Sequence, residues 1–152
     1  MIKAKDIITI MTESASFSDE QKRSDQLVTN YLIEAIRTVT GKDKWDIRVN
    51  SQPIYNSSGN VIGSWVKIYR TPPRSVPNLY EMIDFKFSFD FSNPCYLYYA
   101  YGRGGGEFKS KTFKSSLSSI RQNLVTVFKS LYLDNFSVPN LDKVIDIKKL
   151  QG

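Results

Sequence analysis

Ile83, Phe85, Phe87, Phe89 and Phe91 occupy every second position of one stretch and are separated by Asp84, Lys86, Ser88 and Asp90. Successive side chains of a strand point to opposite faces, so this spacing demands a strand with one apolar and one polar face. One strand cannot bury such a face alone. The chain must therefore build a sheet and cover it. The same period recurs upstream, where Trp45, Ile47 and Val49 alternate with Asp46, Arg48 and Asn50. The turn-forming run Asn56-Ser57-Ser58-Gly59-Asn60 joins Trp45–Tyr55 to a returning strand Val61–Arg70, which predicts a hairpin. On that second strand Ile62, Val66 and Ile68 share one face, and Trp65, Lys67 and Tyr69 the other. Pro72, Pro73 and Pro77 end the run, because proline cannot donate to a ladder. Ser92-Asn93-Pro94 then turns the phenylalanine strand onto Cys95–Tyr101, giving a second hairpin rich in tyrosine.

Helical period brackets the strands. Between Ser18 and Gly41, Leu27, Val28, Tyr31, Leu32, Ala35, Ile36 and Val39 form one apolar stripe. Ser18 and Gln21 have the spacing of a capping box, Asp19 and Glu20 suit the positive end of the helix dipole, and Gly41 suits its stop. Ser115–Leu133 returns to helical period through Leu117, Ile120, Leu124, Val127, Phe128 and Leu131. Ile7, Ile8, Ile10 and Met11 suggest a short first helix. The tail from Asn140 to Leu150 reads as a short helix, with Val144–Ile147 able to pair as an edge strand instead. The expected fold is α+β in a single domain, residues 1–152. It has one four-stranded antiparallel sheet made of two consecutive hairpins, with two long amphipathic helices packed on one face, in the order (α)αββββα(α).

Composition removes whole reaction classes. The 152 residues include no His and one Cys, Cys95. A Ser-His-Asp or Cys-His site, a His-ligated zinc and an intramolecular disulfide are all excluded. Cys95 lies in an aromatic strand with no imidazole to activate it, and it reads as a buried structural thiol. No stretch approaches the roughly 20 apolar residues of a membrane span, and the first ten residues do not form a signal-peptide core. A cytoplasmic protein with no membrane association is expected. For catalysis, the best assembly is Asp84-Phe85-Lys86 with Glu34, two carboxylates and a lysine of the kind a metal-dependent nuclease uses. The segment from 47 to 80 supplies no further acid, so no catalytic residue, metal ligand or cofactor is assigned. The phenylalanine ladder and the tyrosines are not those of an RNA-recognition module, which runs βαββαβ around a glycine-containing motif that Asp84–Phe89 lacks.

The chain carries 21 Lys and Arg against 15 Asp and Glu, and the excess is localised. Residues 42–80 are net +4 and residues 101–133 net +5, while the remainder is neutral or acidic. A fold that joins these segments would present one basic surface. On the outward side of the first hairpin, Arg48, Trp65, Lys67, Tyr69, Arg70 and Arg74 interleave cations with aromatics, as single-stranded nucleic acid sites do. In the glycine-rich stretch after Tyr101, Arg103, Lys109, Lys111 and Lys114 add charge beside a helix start. The expected function is a small non-catalytic binding protein that contacts nucleic acid through its phosphates. The cations would position the strand, and Trp65 and Tyr69 would stack on bases. The alternative is an accessory or inhibitory protein of the phage or mobile-element kind that docks onto a larger protein partner. Twenty aromatic residues are more than one small core requires, and surplus Tyr, Trp and Arg anchor protein interfaces. Pairing into a homo-oligomer is compatible with both. The arrangement of the aromatics discriminates between them: among cations they favour nucleic acid, and in an apolar patch of their own they favour a protein.

Overall fold

A computed structural model describes residues 17–41, 45–72, 79–103, 108–133 and 144–145. Helix α1 runs Asp19–Thr40 over 22 residues. Its first turn is closed by the expected capping box, in which Ser18 Oγ accepts from the Gln21 backbone N–H and the Gln21 side chain accepts from Ser18 N–H. Its end is set by Gly41, whose φ of 65° is left-handed and costs glycine nothing. Five antiparallel strands follow as a meander, β1 (Asp46–Tyr55), β2 (Val61–Thr71), β3 (Leu79–Ser88), β4 (Cys95–Arg103) and β5 (Phe108–Phe113). Helix α2 is Ile120–Tyr132, and the two-residue β6, Val144–Ile145, pairs onto β5.

The class is the expected one, but three details differ. The sheet is larger than four strands, because residues 108–113 form β5 where the sequence suggests only a connection to the last helix. Their side chains are mostly polar, and Phe108 and Phe113 sit at opposite parity, so no apolar alternation announces the strand. Second, β3 stops at Ser88, short of Phe89 and Phe91. Asp90 accepts from both the N–H and the hydroxyl of Ser92, and Phe91 takes a left-handed φ of 54°, so the chain turns there. Third, only α1 is long. Helix α2 has 13 residues and begins after a serine turn that leaves Leu117 half exposed. Where the tail reads as a short helix, Val144–Ile145 instead takes the alternative and pairs as an edge strand on β5, and the rest of 140–150 lies outside the described residues. The suggested helix at residues 7–11 lies outside the described residues.

Alternation places one face of the sheet inward. Val66 and Ile68 of β2, Ile83, Phe85 and Phe87 of β3, Cys95, Leu97 and Tyr99 of β4, and Phe113 of β5 are all buried. They form one core with Val28, Leu32, Ala35 and Ile36 of α1 and Leu124, Val127, Phe128 and Leu131 of α2. Each large apolar side chain buried in this way contributes roughly 1.5–3 kcal/mol. Gly63 is required where β2 meets β3, since a Cβ there would overlap the Phe87 carbonyl. Polar side chains are buried beside this core, some of them paired. Arg70 and Glu81 are fully buried and joined at 2.8 Å, with Arg70 also donating to Thr40 Oγ1 at 3.0 Å. Ser64 donates to Asp25 at 2.5 Å where α1 crosses β2. Among the described residues no helix is long and apolar enough to cross a membrane.

Candidate nucleic-acid interface

The opposite face of the sheet is not covered by α1 or α2, and strand register determines what stands on it. Arg48 is opposite Tyr69, Asn50 opposite Lys67, and Gln52 opposite Trp65. Across the next ladder Trp65 faces Lys86, Lys67 faces Asp84, and Tyr69 faces Met82. Beyond these lie Tyr96, Tyr98 and Ala100 of β4, then Ser110 and Phe108 of β5. Directly opposed residues of antiparallel strands share a face, so these side chains form one continuous surface.

Trp65 organises its centre. The Lys67 ammonium and the Lys86 ammonium each lie 4.1 Å from the Trp65 ring centroid. Lys86 also lies 5.4 Å from the Tyr96 ring. An indole attracts cations through the negative potential of its face, by about 0.5–2 kcal/mol per contact depending on solvation. Asp84 sits beneath this cluster. Burial raises its carboxyl above the ordinary carboxylate value, while the Trp65 indole, Lys67 and Lys86 oppose the shift. The Trp65 Nε1 and the Asp84 Oδ1 are both buried within this cluster. Towards one end of the strands, Arg48, Tyr69, Thr71 and Tyr80 border a cleft of about 440 Å³. Tyr69 is 41% exposed, and its ring centre is 6.5 Å from that of Tyr80, the two planes inclined by 56°. Towards β5, Tyr98 stacks on the exposed Phe108 at 5.6 Å. Burial raises the Tyr96 and Tyr98 hydroxyls above their ordinary pKa.

Of the residues expected to bind, Arg48, Trp65, Lys67 and Tyr69 share this open face. Arg70 does not belong with them. It has the parity of Val66 and Ile68, points into the core, and is fully buried against Glu81. Lys109 and Lys111 pair with Tyr99 and Leu97, which places them on the helix-covered side of the sheet. Among the described residues the two basic segments thus do not merge into one surface. Lys114 is exposed just past β5. Arg74 and the Arg103 side chain lie outside the described residues. The open face also holds residues the sequence reading passed over: Lys86, Tyr80, Tyr96, Tyr98 and Phe108. For Lys86 the signal was available, since the alternation that buries Phe85 and Phe87 turns it outward.

The nuclease-like set is not assembled. Asp84 and Lys86 stand on the open face, whereas Glu34 is on α1 across the sheet, accepting from Arg121 at 2.7 Å. No group of three or more His, Cys, Asp and Glu able to hold a metal occurs among the described residues. Cys95 is buried, and desolvation pushes its thiol up to about 12, so it is a poor nucleophile near neutral pH. No known protein family, curated protein or solved structure matches the chain.

Proposed function

We propose that this protein is a non-catalytic binder of single-stranded nucleic acid, and that the open face of the sheet is its contact surface. The observation that carries the reading is the placement of Lys67 and Lys86 at 4.1 Å from one indole, with Arg48 and the exposed Tyr69 beside them. Trp65 and Tyr96 stand among cations, the arrangement that favours nucleic acid over a protein partner, while Tyr98 and Phe108 stack on each other. The major groove of a duplex admits a helix or a two-stranded ribbon, both narrower than this five-stranded face. The face can carry an unpaired strand, whose bases stack on rings and whose phosphates meet ammonium and guanidinium groups.

Fluorescence anisotropy with labelled single-stranded DNA and RNA tests this directly. Binding is expected at low salt and should weaken steeply as salt rises, because each neutralised phosphate releases counterions. Absence of binding to either strand at low salt overturns the reading. A protein partner captured from lysate and retained after nuclease treatment, with no oligonucleotide bound, supports docking onto a larger protein instead.

A further inference from the structure

Resting on the single-strand reading above, we propose that the cleft between Arg48, Tyr69, Thr71 and Tyr80 is a nucleobase pocket. Trp65 is then a positioning residue that holds Lys67 and Lys86 for the neighbouring phosphate, and it does not itself stack on a base.

The division follows from what already occupies each ring. A cation 4.1 Å from the Trp65 centroid stands where a base would have to lie, and two cations do so. The indole therefore gathers two positive charges at one point of the face. Tyr69 has no cation contact of this kind among the described residues, and it is open to solvent. With Tyr80 it forms two inclined walls of a cleft whose volume of about 440 Å³ lies within the roughly 300–1,000 Å³ of small-molecule sites. Thr71 brings a hydroxyl to its rim, and Arg48, directly opposite Tyr69, brings a planar donor that can stack on a base or hydrogen-bond its edge. Lys67 and Tyr69 are two residues apart on β2, so the phosphate and base subsites are separated by about 7 Å along the strand. A base and its adjoining phosphate can thus be held together.

The experiment compares a short oligothymidylate with an abasic oligomer of the same phosphate number, by anisotropy across a salt series. Stacking of a base on an aromatic ring contributes roughly 1–3 kcal/mol, so the oligothymidylate should bind about 5- to 150-fold more tightly than the abasic strand. Tyr69→Ala should erase that ratio without weakening abasic binding, and Tyr69→Phe should keep it. Trp65→Ala should weaken both strands and flatten the salt dependence, with Trp65→Phe restoring it. Thermal melts of each variant separate these effects from unfolding. Equal affinity for the two strands in the parent protein overturns the base pocket while leaving phosphate binding intact. An unchanged salt slope in folded Trp65→Ala overturns the positioning role. Failure of both strands to bind at low salt overturns the single-strand reading itself, and the pocket with it.

Discussion

Arg70 and Glu81 illustrate how a charged side chain in a strand is assigned its role by its neighbours. Both are fully buried, so removal of one takes from the other its counter-charge inside the core. Arg70→Met alone should therefore cost about 3–5 kcal/mol, whereas Arg70→Met with Glu81→Leu should recover most of that loss. Urea titrations of the two variants check it, and a double variant no better than the single would refute the pairing argument. Asp25 makes a second prediction at this scale. Burial raises its carboxyl above the ordinary 3.8, outweighing the hydrogen bonds from Ser64 and Ser51. A raised carboxyl pKa in the folded state means that no penalty is felt below pH 3.8 and that stability falls as pH rises through the folded value. Asp25→Asn should thus stabilise the protein at neutral pH and leave it unchanged in acid. Unfolding midpoints measured at both pH values decide the sign.

Among the elements, α1 is the most self-sufficient, since its cap, stripe and stop are encoded within its own residues. Replacing Ser18 with Ala removes one half of the capping box and should cost about 1 kcal/mol. The expected signature is a small fall in melting temperature with no change in oligonucleotide affinity, because Ser18 lies at the start of a helix on the covered face. Helix α2 lacks such a device: Ser119 makes no side-chain cap, and its first turn holds no acid. Its apolar face was visible as helical period, but its start was not, as the serines at 115–119 carry no distinguishing pattern. Strand β5 was the least visible element. Its Lys109, Ser110, Lys111 and Thr112 give no apolar alternation, and it forms because β4 offers an unpaired edge on one side and β6 closes it on the other.

For the molecule as a whole, the single core predicts one cooperative unit. Cys95 is a probe placed inside it, at the edge where β4 pairs with β5. Its thiol, raised by burial to about 12, should resist labelling near neutral pH until the sheet opens. Through a urea series, labelling and circular dichroism should share one midpoint. Earlier labelling would show the β4–β5 side opening on its own. The proposed binding surface is likewise a property of the whole sheet, since its residues come from five strands. Lys67→Ala and Lys86→Ala should each lower the slope of log affinity against log salt by about 1. A control at Lys111, on the other face, should leave that slope unchanged.

The period-two runs were enough to establish strands, a sheet and an α+β fold, and to separate Val66 and Ile68 from Trp65, Lys67 and Tyr69. Each of these is a local property, because the alternation of side chains is built into the extended backbone. Parity also carried the burial of Arg70, although reading it as a surface cation obscured that. Which face of one strand continues the face of the next is not local. It depends on register across turns, and register is chosen by which apolar residues the helices cover. That choice put Lys86 beside Trp65, turned Lys109 and Lys111 away from the open face, and brought Tyr80 to Tyr69. Tertiary packing alone converted a basic composition into a surface of ordered cations and rings.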